Sequence, residues 1–336
     1  MKVGLYTLFL ISICLFALNK VNKRNNPILI GRGTLTLSDT SILKGIAILM
    51  VVLGHIGQAI PGLRVFTPLG ATGVGVFLLC SGYGIEKSFE RNVRNKYWYK
   101  RIIKVWFPYA VVELMTLPWH WNLGWKSIVA DFVLIQPLHP FGWYMRFLFA
   151  WYFLFYVFSF TGKYRFPLLL FAGIITWTVL DTLHAQNAFS FAMGVILARM
   201  KLIECLWKRK YLWIGLVVCI LFFFVRDYFK NHYLDIRILW NTISLLYYSS
   251  LVLTVLIGYK YLSNNGFLLP YIGLDVIGAF SYELYLVHGY AYDILTPPAS
   301  VATVSIFVLV CIAGSFLLNK LNNYIINMIN KLFSLK

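Results

Sequence analysis

Eleven apolar runs follow one another along the chain, at about 3–19, 42–60, 69–85, 105–121, 143–160, 166–184, 187–199, 211–226, 238–258, 276–292 and 301–319. About 20 apolar residues carry an α-helix across the hydrocarbon core of a bilayer, and most of the runs approach that length. Backbone groups in lipid must be satisfied internally, which a helix achieves and an open sheet does not. The expected fold is therefore all-α, a polytopic transmembrane bundle of about 11 spans. Composition agrees, since 60% of the 336 residues are hydrophobic and 12% charged, against about a quarter charged in soluble domains. Soluble enzymes, disordered tails and nucleic-acid binders are poor fits. The 187–199 run is short, and the first run is read as an uncleaved span because no small-x-small cleavage site follows it.

The net charge of +18 would suggest a polyanionic partner for a soluble protein. In a membrane protein such an excess marks cytoplasmic loops. With the N-terminus outside, 23 of the 30 Lys and Arg residues fall inside, including Lys87, Arg91, Arg94, Lys96, Lys100, Arg101 and Lys104. Only Lys2, Arg64, Lys126, Arg146, Arg226, Lys230 and Arg237 fall outside. The expected topology is N-out and C-in, in a plasma or inner membrane. Cys14, Cys80, Cys205, Cys219 and Cys311 lie in or beside apolar runs without metal-ligand spacing, so neither a disulfide nor a metal site is expected. Residues 119–125 read as an interfacial rim, and 127–138 as a short helix on the outer surface.

The second run carries the most informative residues. Ser38, Asp39, Thr40 and Ser41 offer N-caps, so a helix is expected to start among them. Lys44 and His55 are eleven residues apart, about 1100° of rotation and roughly 16 Å of rise. Both point the same way, Lys44 at the cytoplasmic edge and His55 near mid-bilayer. An ionisable group at that depth is costly and marks a functional site by default; the alternative is a neutral imidazole bonded to a neighbouring helix. Such a face suits a long donor with an anionic head, threaded lengthwise into the bundle.

Around this pair the chain resembles the acyltransferase-3 family of integral membrane O-acyltransferases, which modify cell-surface polysaccharides, peptidoglycan and lipid-linked glycans. Lys44, ten residues and His55 match its basic residue and histidine. Gly73 to Tyr83 is similar to its glycine-rich helix ending in Ser-Gly-aromatic. Tyr97 to Tyr109, with Arg101 and Lys104 in place of Arg-x-x-Arg, resembles its basic segment before Pro and an aromatic. Phe191-x-x-Gly194 and Gly278 to His288 match later landmarks. After Trp143-Tyr144 the family commonly carries a Glu, whereas this chain has Met145, Arg146 and Phe147.

The resemblance implies a ten-helix core over 38–320, an additional N-terminal helix at 1–19, a basic cytoplasmic linker at 20–37 and a cytoplasmic tail at 321–336. It implies transfer of an acyl group, most simply acetyl, from cytoplasmic acyl-CoA to a hydroxyl of a cell-surface or lipid-linked glycan. No permanently bound cofactor is expected. Such chemistry needs a base for the hydroxyl, an oxyanion stabiliser and cations for the donor phosphates. His55 is the candidate base, and Lys44, Arg101 and Lys104 are candidates for the phosphates; positive-inside topology alone also accounts for these cations.

Other residues are accessory candidates. Ser81 lacks the surroundings of a hydrolase nucleophile and reads as a packing residue. Gly73, Gly75 and Gly82 read as contacts between helices. Glu113 is an intramembrane carboxylate expected beside a basic side chain. Gly278, Ser281, Tyr285 and His288 fall within about 60° of arc on the tenth run, a stripe facing another helix or the acceptor path. Asp275, Glu283 and Asp293 read as snorkelling or solvated, and His120, His139, His184 and His232 as surface histidines. The rival function is a transporter or flippase, with His55, Glu113 and His288 as a proton relay; paired repeats and broken helices at matching positions, common in transporters, are not evident.

Overall fold

A computed structural model describes residues 34–90, 96–200, 208–232, 236–264, 273–295 and 299–334. The expected helix at 3–19, most of the 20–37 linker, Arg91, Arg94, Cys14 and Cys205 lie outside the described residues. Regular structure among the described residues is helical, with no strand. In chain order the helices are α1 (Leu37–Ala59), α2 (Thr67–Glu90), α3 (Phe107–His120), α4 (Trp125–Phe132), α5 (Trp143–Phe158), α6 (Arg165–Val179), α7 (Ser190–Met200), α8 (Arg209–His232), α9 (Arg237–Asn264), α10 (Leu274–Ala279), α11 (Ser281–Ala291) and α12 (Val301–Ser334).

Six segments are long and apolar enough to cross a membrane: Leu37–Ala59, Pro61–Glu90, Pro140–Val179, Arg209–Lys230, Arg237–Asn264 and Val301–Ile329. The third contains two helices, α5 and α6, because the chain breaks at Gly162 with φ +59°. The runs expected at 105–121, 187–199 and 276–292 are helical but shorter or interrupted. Conversely, α12 runs on to Ser334, through nearly all of the expected tail, since no Gly or Pro follows Gly314 to stop it.

The chain divides into two compact units, residues 1–88 with 153–278, and residues 89–152 with 279–336. In the first, close backbone approach at glycines joins the helices. A Cβ at Gly45 or Gly278 would strike a carbonyl oxygen of the facing helix, Leu274 on α10 or Ser41 on α1. Gly73 sits on the backbone of Ala47, Gly82 on that of Phe191, and Gly194 on that of Leu79, while Gly75 faces Asn187 and Ser190. Lipid tails are as apolar as leucine, so helix association in a bilayer rests on such tight packing and on interhelical hydrogen bonds. Asn241 of α9 supplies the latter, donating to the carbonyls of Trp177 (3.1 Å) and Leu180 (3.2 Å) at the end of α6, where helical carbonyls lack partners of their own.

The start of α1 corrects the sequence reading. Its N-cap is Thr36, not one of residues 38–41, because Thr36 has an acid three residues on. Thr36 Oγ1 accepts from the Asp39 N–H (3.1 Å) and Asp39 Oδ2 from the Thr36 N–H (2.8 Å), a reciprocal capping box. Asp39 also accepts from the Tyr259 hydroxyl (2.5 Å) and from Lys260 Nζ (2.9 Å) on α9. A second buried ion pair, Glu86 with Arg165 at 2.5 Å, ties α2 to α6.

In the second unit, a helical turn at Tyr97–Arg101 passes through a π-turn at Ile102–Trp106 into α3. Pro108 has no N–H to return to the Lys104 carbonyl, and the ladder widens so that the Phe107 N–H reaches Ile102. The short helix expected at 127–138 is α4, which starts two residues earlier and stops at Phe132; Trp106 Nε1 donates to its Phe132 carbonyl at 2.8 Å. Phe280, at φ −115° and ψ 19°, separates α10 from α11. Gly278 therefore does not share a helix with Ser281, Tyr285 and His288, and the expected four-residue stripe is cut.

Candidate active site

Helix α1 carries Lys44 and His55 on one face, as their spacing requires. Ile48 and Val51, which lie between them on that face, are 0% and 1% exposed, whereas Leu49 and Leu53 on the opposite side are 37% and 42% exposed. The Lys44–His55 face therefore looks into the unit. His55 is not at the middle of its helix, since α1 ends at Ala59, about 6 Å further along the axis. The sequence reading missed the reason for that end, the Pro61–Phe66 turn that leads directly into α2.

His55 Nδ1 lies 3.1 Å from Gln58 Oε1. An amide oxygen only accepts, so Nδ1 carries the hydrogen and Nε2 the lone pair of the neutral ring. That is the tautomer in which Nε2 can take a proton from a hydroxyl. Gln58 was not among the sequence candidates; its i, i+3 relation to His55 was the available signal.

Lys44 is half-buried and near Cys80 of α2, and among the described residues it makes no ion pair. The other lysine at this end of α1, Lys260, is 1% exposed and saturated by Asp39. Ser81 follows Cys80 and is half-buried. The glycines around it, Gly73, Gly75 and Gly82, serve helix contacts as expected. Cys80, Cys219 and Cys311 are buried thiols.

The remaining candidates belong to the second unit. The Arg101 guanidinium lies 5.3 Å from the ring centres of both Tyr97 and Tyr152, and the Tyr97 hydroxyl donates to the Tyr152 carbonyl at 2.8 Å. Among the described residues Arg101 has no carboxylate partner, so stacking fixes the cation without neutralising it. Lys104, in the π-turn, is exposed. Among the described residues Glu113 makes no ion pair with a basic side chain. It is 4% exposed, accepts from the Tyr290 hydroxyl (2.7 Å) and reaches a second buried carboxyl, Asp131, which accepts from Tyr109 at 2.5 Å and from the Leu138 N–H at 3.0 Å. Asp131 escaped the sequence reading because it sits on a short helix expected to lie on the surface.

Ser281, Tyr285 and His288 are all buried. Tyr285 donates to the Phe141 carbonyl at 3.1 Å, and His288 Nδ1 donates to the Tyr285 carbonyl. These contacts support the structural reading of that face. Glu283 is 8% exposed and accepts from Asn319 Nδ2 at 3.1 Å, so it does not snorkel. His184 is buried against Asp181. His139 stacks near Tyr290, with ring centres 4.3 Å apart, and burial pulls its pKa below the usual histidine value. Neither is an ordinary surface histidine. Arg146, where the family commonly has a nearby Glu, is exposed and donates to the Ile135 carbonyl at 3.2 Å.

A family model described as an acyltransferase domain, acyltransferase 3, matches residues 39–320. No curated protein and no solved structure matches the chain. The matched region contains Lys44, His55, Ser81, Arg101, Lys104, Glu113, Ser281, Tyr285 and His288, and it spans the apolar helices from α1 to most of α12. The chain belongs to the acyltransferase-3 family, as a membrane acyltransferase.

Proposed function

We propose that the protein is an O-acyltransferase that moves an acyl group, most simply acetyl, from cytoplasmic acyl-CoA to a hydroxyl of a cell-surface or lipid-linked glycan. The observation that carries this reading is the inward face of α1, where a histidine held in its Nε2-basic tautomer shares a line with an unneutralised lysine. In this reaction Nε2 of His55 takes the hydroxyl proton as the oxygen attacks the thioester carbonyl. The new C–O bond forms, the C–S bond breaks, and the proton ends on the departing thiol. Lys44 and Arg101 bind the donor phosphates, the lysine as a point charge and the arginine through its planar fork; Lys104 is a third, more exposed cation for the same group. Ser81, Glu113, Ser281, Tyr285 and His288 are assigned supporting roles. Nothing in the fold or the family match supports the rival transporter reading.

The test is transfer of a radiolabelled acetyl group from acetyl-CoA in purified membranes, with mass spectrometry of surface glycans from cells with and without the protein. Label that stays on CoA, together with unchanged glycans, overturns the reading.

The membrane arrangement belongs to the same proposal: eleven spans in a plasma or inner membrane, N-terminus outside and C-terminus cytoplasmic. On that arrangement α5 starts from the outside. In a variant lacking native cysteines, Asn122→Cys should react with an impermeant thiol reagent applied outside, and Thr161→Cys only after permeabilisation. Both positions are exposed. Labelling of Thr161→Cys from outside inverts the topology.

A further inference from the structure

Arg226, half-buried in the first unit, is like Lys44 without an ion pair among the described residues, and its surroundings point to a ligand. Arg226 of α8 lies under three aromatic rings of α9, with Cζ 4.9 Å from the centre of Trp240, 5.6 Å from Tyr247 and 5.3 Å from Tyr248. It makes no ion pair among the described residues, and its buried Nε has no hydrogen-bond partner. Ser244, 0% exposed and one helical turn from both Trp240 and Tyr248, has a hydroxyl that is also without a partner. Trp240, Ser244, Tyr247 and Tyr248 share one face of α9, since their spacing keeps them within about 100° of arc.

A cation inside a membrane span is expensive, and its usual resolution is a counter-charge or a functional role. Cation–π contact offsets part of the cost but supplies no acceptor for the five N–H donors of the guanidinium. We infer that Arg226, with the hydroxyls of Ser244 and Tyr248, binds the phosphate of a membrane lipid. Phosphate oxygens match the arginine fork. The setting favours a lipid over a soluble phosphate, because Arg226 lies in a helix long and apolar enough to cross a membrane, on whose opposite face Val217, Leu221 and Phe224 are each more than half exposed. Depth agrees as well. Helix α9 has 28 residues, about 42 Å, and overreaches a hydrocarbon core of about 30 Å by roughly 6 Å at each end when centred. Trp240 then stands at the headgroup boundary, with the backbone of the tyrosine pair about 10–12 Å deeper and the Arg226 guanidinium between their rings. The inference rests on the membrane setting and not on the acyl-transfer chemistry.

The test uses the full chain reconstituted in vesicles of equal parts phosphatidylglycerol and phosphate-free diglucosyldiacylglycerol, then extracted for native mass spectrometry. The wild type should retain phosphatidylglycerol and not the glycolipid. Arg226→Gln should retain about 10-fold to 100-fold less, the loss of a hydrogen-bonded charge, and Arg226→Lys should fall between. If Arg226→Gln does not insert, the pair Ser244→Ala with Tyr248→Phe, which keeps the cation and the rings, should still lower retention several-fold. Equal retention of both lipids by the wild type overturns the inference. So does retention unchanged by every variant, or displacement of the bound lipid by millimolar inorganic phosphate, which would make free phosphate the ligand.

Discussion

The first turn of α1 and the rest of its inward face are built from the same kinds of charged group and treat them in opposite ways. The Asp39 carboxylate is enclosed by three donors: the Thr36 N–H, the Tyr259 hydroxyl and Lys260 Nζ. Lys44, five residues on, has no counter-ion among the described residues, and His55 Nδ1 meets the amide oxygen of Gln58. Saturated groups hold α1 to α9; Lys44, without a counter-ion, is left to meet something from outside the chain. Charge alone does not distinguish the two regions. Burial does, with Asp39 and Lys260 buried and Lys44 and His55 half-buried, and so does the presence of a counter-ion.

The sharpest way to break this comparison is at His55. His55→Ala and His55→Gln should both lower acyl transfer about 10²-fold to 10⁴-fold, the usual worth of a general base, with insertion and thermal stability unchanged. Glutamine keeps the hydrogen bonding but takes no proton at neutral pH, so near-wild-type turnover in His55→Gln removes the catalytic assignment.

The saturated region should answer in the other currency. Lys260→Met leaves the Asp39 carboxylate buried without its cation, which costs about 3–5 kcal/mol. Thermal unfolding in detergent and the level of protein in the membrane should both fall. The acyl-CoA requirement of whatever protein remains folded should not change. Normal stability would show that Tyr259 and the cap are enough.

Smaller effects should come from the cations with no carboxylate partner among the described residues. Lys44→Ala and Arg101→Ala should each raise the acyl-CoA concentration for half-maximal rate about 10-fold, the loss of one hydrogen bond to a charged group, with the limiting rate kept. Unchanged donor dependence returns that residue to a purely topological role.

The smallest effect tests orientation. Gln58→Ala should cost a few-fold in rate, because the tautomer is less strongly fixed. Gln58→Glu should retain activity and shift its acid limb to higher pH, since a carboxylate beside Nδ1 favours the imidazolium. An identical pH profile in the glutamate variant would detach Gln58 from the mechanism.

The helices were the most legible part of the fold, as apolar runs and turn residues are local signals. Even there, the cap of α1 was misplaced by two residues or more, since a row of good cap residues does not reveal which one has an acid positioned to answer it. The glycines of α2 could be read as contacts, but not as contacts to Ala47 and Phe191 in particular. Glu113 was flagged as a buried carboxylate, yet its partners Asp131 and Tyr290 lie 18 and 177 residues away, and no spacing rule reaches that far.

What the sequence determined by itself is one-dimensional: that the chain is a membrane bundle of helices, that many of its basic residues cluster between apolar runs, and that Lys44 and His55 face the same way. Hydrophobic length, charge bias and helical period each act within a few turns of chain, so they survive without knowledge of the fold. Which charges are spent was decided only by tertiary structure. Asp39 meets Lys260 across 221 positions and Glu86 meets Arg165 across 79, while Lys44 and Arg226 meet no carboxylate among the described residues. The free energy of a buried ion is set by what packs against it, and that neighbour is supplied by the fold.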